Sequence, residues 1–291
     1  MRGLLFGGCA LVCSCLAIVG CLPQAVPIEK QLDVVYKSVD GLDLHLDYMA
    51  PKGPGPFPIV VSIHGGGWQR GSYKEYTAFQ ENCAKSGIAT ISVQYRFAPK
   101  AKFPAQQEDV QDALKFILKD KKRYHVDSDR VAWLGGSAGA HLALLAGFTP
   151  SDQYKSLLIV NVAGPTNMKS FKSWDSGDKA LQGAVGRDSA GLLEDLLGTT
   201  DKTADIYRIA SPLEIVAAGA PRVFTVHGEK DDIVPITQAE ELHARLKELG
   251  VPENIYRSKE GTHNFATWPV KDRNEALLEM VKELNSVLLK K

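Results

Sequence analysis

The sequence predicts an α/β fold with a mostly parallel central sheet, flanking helices and antiparallel strands at its N-terminal edge. Three observations predict it. Residues 34–39 and 42–48 read as strands joined by Asp40-Gly41, a hairpin signal. From residue 59 onward the pattern changes to strand, loop and helix, repeated, which calls for parallel strands linked by crossover helices. The length of 291 residues suits one large domain.

The elements follow in order. Segment 42–48 alternates Leu42, Leu44 and Leu46 with Asp43, His45 and Asp47, so one face should be buried and the other wet. Segment 59–63 is a continuous apolar run, as a parallel strand covered on both faces requires. Further strands are expected at 89–93, 131–134, 157–162, 222–226 and 254–257. Helices are expected at 105–118, 137–148, 237–249 and 272–289, the third stopped by Gly250. Residues 166–211 are irregular, with Trp174, several glycines and one helix near 192–197, and read as an inserted lid or pocket wall.

The N-terminus differs in kind. After Arg2, residues 3–19 carry no charge, which reads as a signal peptide spanning 1–20. Ile18-Val19-Gly20-Cys21 resembles a bacterial lipobox, so Cys21 is the expected site of lipidation and residues 21–30 a tether to the domain at 31–291. This gives an exported protein held at a membrane by a lipid, with a plain secretory signal or an uncleaved anchor as alternatives. Cys9, Cys13 and Cys15 would leave with the signal, so no disulfide framework is expected. Cys83 lies at helical spacing with Tyr76 and Phe79 and reads as core. Lys+Arg and Asp+Glu balance at 34 each, which removes the electrostatic reason to bind nucleic acid. No Cys/His/Asp set has metal-ligand spacing, so neither metal nor cofactor is expected.

Three motifs carry chemistry. Gly135-Gly136-Ser137-Ala138-Gly139 fits G-x-S-x-G between a strand and an apolar helix, where a sharp turn exposes a serine nucleophile and small residues allow strand and helix to approach. His64-Gly65-Gly66-Gly67-Trp68 follows a strand. Its glycines suit a backbone that donates N–H groups to a developing oxyanion. Gly66 and Gly67, with Ala138 after the nucleophile, are the candidate donors; Trp68 packs the loop or walls the acyl site. A serine hydroxyl needs a base oriented by an acid, in the chain order Ser, Asp/Glu, His. Asp231 in the segment from His227 to Pro235 is the candidate acid, with Asp232 the alternative, and His263 the candidate base. His243 lies inside a helix, His141 one turn beyond Ser137, and His64 and His227 read as braces for their loops.

These segments, with Tyr95 to Pro99, Phe103-Pro104-Ala105, Leu197-Gly198 and Tyr207 to Leu213, resemble the esterase and lipase branch of the α/β hydrolases, which includes the hormone-sensitive-lipase-like enzymes. The likeness extends to small bacterial acetyl, xylan or feruloyl esterases and spans nearly all of residues 31–291. It implies an α/β-hydrolase fold, acyl transfer through Ser137, and Arg96 and Asp109 as core braces. Relatives carry helical caps ahead of the HGGG motif, whereas here strands come almost at once. That implies an open site and short acyl groups, such as acetate or feruloyl esters on carbohydrates. A small-amide hydrolase on the same triad, and a non-catalytic surface lipoprotein that keeps the fold for binding, are the rival readings.

Overall fold

The structure is a computed structural model and describes residues 27–290. The expected signal segment, Cys21 and residues 22–26 of the expected tether lie outside the described residues. One eight-stranded sheet organises the rest, in the order β1-β2-β4-β3-β5-β6-β7-β8. Chain order gives β1 (Ile28–Val39), β2 (Leu42–Pro51), β3 (Phe57–Ile63), α1 (Thr77–Lys85), β4 (Ala89–Val93), α2 (Ala105–Lys119), β5 (Val126–Gly136), α3 (Ala138–Phe148) and β6 (Ser156–Val162). Then come α4 (Asp175–Val185), α5 (Ser189–Leu197), α6 (Asp205–Ile209), α7 (Pro212–Ile215), β7 (Arg222–Gly228), α8 (Thr237–Glu248), β8 (Glu253–Ser258) and α9 (Val270–Leu288). Antiparallel pairing is confined to β1–β2 and β2–β4; every later pair is parallel.

The continuous apolar strands have the predicted cause. Along β3, Ile59, Val61 and Ile63 enter one core with α2, α3 and α8, while Val60 enters the other with α1 and α9. Alternate side chains point to opposite faces, so covering both faces demands apolar residues throughout. Helix α3 is buried at every position, which explains its apolar composition all round. On α9, Ala276, Met280, Leu284 and Leu288 recur every fourth residue and bury one stripe against the sheet.

Two expectations about the N-terminal strands need correction. Residues 28–30, expected in the tether, belong to β1, where Ile28 pairs with Pro51. Asp47, expected on a wet face, is only 1% exposed, while Leu42 is 45% exposed. The physical reason is that α1 and the turn before it, residues 73–76, pack on β2: Gln80 on α1 donates its side-chain N–H to Asp47 O at 3.0 Å. Asp47 tolerates burial because Lys74 Nζ stands 2.7 Å away and the Asp33 N–H donates to it at 2.8 Å. The hairpin itself is as expected, with Asp40 (φ 52°) and Gly41 (φ 75°) both left-handed.

Between β6 and β7, the irregular stretch 166–211 resolves into α4, α5 and α6. Helix α5 is longer than expected. Asp188 caps its start by accepting from Gly191 N–H at 2.8 Å, and Gly198 ends it at φ 80°. Helix α4 was not expected at all. Among the described residues no helix is long and apolar enough to cross a membrane.

Candidate active site

The carboxyl ends of β3, β5, β7 and β8 bring the chemistry-bearing segments to one edge of the sheet. Ser137 stands in the turn from β5 to α3 at φ 54°, ψ −123°, a conformation that L-residues rarely adopt. Its N–H donates to Val162 O at 2.8 Å, which ties the turn to β6. The turn is sharp enough to need glycine: a Cβ on Gly139 would lie 2.1 Å from Ile63 O. The helix start directs its partial positive charge at the Ser137 side chain.

Ser137 Oγ lies 3.0 Å from His263 Nε2, and His263 Nδ1 lies 2.8 Å from Asp231 Oδ2. With the ring neutral, Nδ1–H donates to Asp231 and Nε2 accepts from the serine hydroxyl. The acid is fixed by its own backbone, because Asp231 Oδ1 accepts from the N–H groups of Ile233 (3.0 Å) and Val234 (2.8 Å). His227 Nε2 donates to Val234 O at 2.8 Å and stands 3.4 Å from Asp231 Oδ2, so this histidine braces the acid loop. The acid and base loops are zipped together by Glu229 N–H to Ser258 O and Lys230 N–H to Gly261 O, each 2.8 Å. Asp232 makes no bond to His263; its carbonyl instead accepts from Trp174 N–H at 2.8 Å.

Asp231 and His263 shift each other's ionisation. Burial favours a neutral Asp231, yet the charge of His263 and hydrogen bonds from His227 and His263 override it and hold the carboxyl well below its usual range. Burial also opposes an imidazolium at His263. The adjacent Asp231 carboxylate, and at longer range Asp232, outweigh that and raise the ring above its ordinary value.

Gly66, Gly67 and Ala138 all line a largely apolar cavity of about 300 Å³ beside Ser137. The direction of each N–H follows from peptide planarity, since the carbonyl of the same peptide points the opposite way. Gly65 O accepts from His64 Nδ1 at 2.8 Å; Gly66 O accepts from the N–H groups of Gln69 and Arg70, each at 3.2 Å. Ser137 O accepts from Ala140 (2.9 Å) and His141 (3.1 Å) within the first turn of α3. Engaging these three carbonyls turns the N–H groups of Gly66, Gly67 and Ala138 away from their own loop and helix. His64 is stacked on Tyr95 with centroids 4.5 Å apart, and burial pushes its ring down to about 4, so it serves as a neutral brace.

Trp68 is buried and also lines the cavity. Its Nε1–H donates to His141 Nδ1 at 3.2 Å, and His141 Nε2–H donates to Ala210 O at 2.7 Å. His141 is therefore a link from the glycine loop to the β6–β7 segment, and burial pushes it down to about 4. Arg96 and Asp109 form a two-pronged ion pair at 2.7 and 2.9 Å, away from the cavity. Phe171, Leu181, Val185 and Leu192 complete the apolar wall, with Arg70 and Glu75 as charged lining groups. Sequence reasoning missed these. One signal was present: Ala180, Leu181, Ala184 and Val185 share one face at helical spacing.

Known proteins agree with this architecture. The BD-FAE family model matches residues 42–246. The "Probable carboxylic ester hydrolase LipM" of Mycobacterium tuberculosis is 29% identical over 69% of this chain and 48% of its own length. "Esterase LipC" of the same organism is 27% identical over 72% of this chain and 53% of its own length. This chain thus spans about half the length of those relatives. Among solved structures, a truncated carbohydrate esterase from gut microbiota superposes with TM-score 0.70 at 19% identity, covering 91% of this chain and 99% of the other. A hyperthermophilic esterase from Pyrobaculum calidifontis gives TM-score 0.72 at 23% identity, covering 89% and 85%. The likeness to these structures identifies the fold as that of the α/β hydrolases. By the match over most of its described length, this chain belongs to the BD-FAE family.

Proposed function

We propose that the chain is a serine carboxylic-ester hydrolase acting on short acyl esters, including those carried by carbohydrates. The observation that carries this reading is the unbroken relay from Ser137 Oγ to His263 at 3.0 Å and from His263 to Asp231 at 2.8 Å, beside three outward N–H groups. In this mechanism Ser137 Oγ attacks the ester carbonyl carbon while His263 Nε2 takes its proton. Asp231 holds the ring in the required tautomer and stabilises the imidazolium. The oxyanion is received by Gly66, Gly67 and Ala138. Collapse expels the alcohol, which takes the proton from His263 and leaves an acyl-enzyme. Water then repeats the sequence, releasing the acid and restoring Ser137.

The substrate class rests on the cavity. About 300 Å³ is at the small end for ligand pockets, and its lining is mainly apolar. Such a space suits a short acyl chain better than a long fatty one. The β6–β7 segment, with α4 lining the cavity, serves in this reading as a lid and pocket wall. The apolar run before Cys21 supports export and lipid anchorage at that residue; labelling with a radioactive fatty acid, lost in Cys21→Ala, tests it.

The function is tested by turnover. Purified protein should hydrolyse p-nitrophenyl esters with a preference for acetate to butyrate, and a fluorophosphonate should label Ser137. Acetylated and feruloylated glycans test the alcohol side, and matched anilides separate esterase from amidase. Full turnover by Ser137→Ala would sink the proposal.

A further inference from the structure

We infer that Asp195, on α5, is a positioning residue for the oxyanion hole, acting through Gln69 on the peptide that presents the Gly67 N–H. The inference rests on the ester-hydrolase reading of Ser137 and extends it to a residue outside every motif.

Glycine backbone gives the loop holding Gly66 and Gly67 little stiffness of its own. Gly66 stands at φ 111° and Gly67 at φ 62°, and glycine passes freely between such states. An oxyanion donor is effective only if it is aimed before charge develops. The aim of Gly67 N–H depends on the Gly66 carbonyl, which is held by the main-chain N–H groups of Gln69 and Arg70, each at 3.2 Å. Gln69 is in turn anchored from outside the loop. Its side-chain Nε2 donates to Asp195 Oδ2 at 2.9 Å, across 126 residues of sequence.

Asp195 is a fixed anchor. It is 9% exposed, and Arg187 grips it with two bonds, Nε to Oδ2 at 2.8 Å and Nη2 to Oδ1 at 3.1 Å. A buried carboxylate held this way has little freedom. One turn earlier on α5, Leu192 packs on the same loop: a Cβ added to Gly67 would lie 3.3 Å from Leu192 Cδ2. One face of α5 thus presses on Gly67 with an apolar side chain and holds Gln69 with a charged one. The helix that walls the cavity also sets the direction of an oxyanion donor.

The test uses the purified protein with isosteric changes. Asp195→Leu removes the acceptor, Gln69→Met removes the donor from the loop side, and Asp195→Asn keeps one oxygen for Gln69. Asp195→Leu and Gln69→Met should each lower kcat on p-nitrophenyl butyrate about 10- to 100-fold, with KM changed less than about threefold. A trifluoromethyl ketone that mimics the tetrahedral intermediate should lose affinity by the same factor. The double variant should be no worse than either single one, and Asp195→Asn should recover most of the rate. Unchanged kcat in Asp195→Leu, or lost kcat with full affinity for the ketone, would overturn the inference. Amide spectra of 15N-glycine-labelled protein read the same geometry without turnover. In Asp195→Leu the Gly67 resonance should shift or broaden, and an unmoved resonance also overturns the inference. If the parent protein hydrolyses no ester yet Gly67 moves, the positioning stands and the ester reading falls.

Discussion

Ser137 and helix α4 line the same cavity and are held in opposite ways. Every residue from Leu134 to Gly136 is buried, and so is every residue of α3. Ser137 therefore sits in a frame fixed by backbone approach and packing. Of α4, only Gly177 is buried, although Ala180, Leu181, Ala184 and Val185 roof the cavity. That helix is pinned at its ends. Trp174 N–H reaches Asp232 O at 2.8 Å, Asp178 accepts from Ser189 N–H at 2.8 Å, and Arg70 reaches Ala184 O at 3.4 Å. The difference teaches that the Ser137–His263–Asp231 geometry belongs to the sheet, while much of the cavity lining belongs to a roof tied on by a few polar contacts.

The largest effects should therefore arise in the frame. Ser137→Ala should lower kcat/KM about 10⁴-fold or more with unchanged melting temperature, and Asp231→Asn about 10³- to 10⁴-fold. Asp232→Asn should stay within about threefold of the parent, and a loss as deep as that of Asp231→Asn would refute the separation of the two acids. Gly139→Ala forces a Cβ to 2.1 Å from Ile63 O, so urea unfolding should show a loss of about 2–3 kcal/mol.

The pH profile comes next. The raised His263 holds its proton to higher pH than free imidazole, and only the neutral ring can accept the serine proton. Log kcat/KM should climb with slope one on the acid side, about tenfold per pH unit, and level off above a midpoint higher than about 6.5. Asp232→Asn removes one of the raising charges and should move that limb to lower pH with the plateau nearly unchanged.

Changes in the roof should alter selectivity and leave the chemistry intact. Leu181→Trp fills the cavity, and should lower kcat/KM for hexanoate about tenfold relative to acetate, in line with the small energies of apolar discrimination. Smallest is the stability effect of Gly177→Ala. Its Cβ would meet Asp232 O at 2.0 Å, so α4 must lift off the acid loop. Because the helix is so little buried, the unfolding free energy should fall by about 1 kcal/mol or less, while KM shifts severalfold. A loss as large as that of Gly139→Ala would erase the contrast between frame and roof.

The same contrast governs what could be read in the sequence. Strands covered on both faces appear as apolar runs, so β3 and β4 were legible almost to the residue. The relay was legible because a parallel sheet brings the ends of its strands to one edge, which makes chain order and loop position informative. Asp47 was misread because alternation looks the same whether the second face meets water or a neighbour's lysine. Helix α4 was hidden by Gly177, Gly183 and a nearly even mix of polar and apolar residues. The bond from Gln69 to Asp195 leaves no local pattern, since it exists only once distant segments have met.

The backbone of Ser137 carries a last consequence. A residue at φ 54°, ψ −123° stores about 1–3 kcal/mol that glycine would release, less about 0.5–1 kcal/mol for the added freedom of a glycine in the unfolded chain. Selection for heat resistance alone would thus drift toward glycine at this position and discard the hydroxyl. Breeding a sturdier version of this molecule requires that every round also score turnover, because the residue on which the proposed chemistry depends is one that durability disfavours.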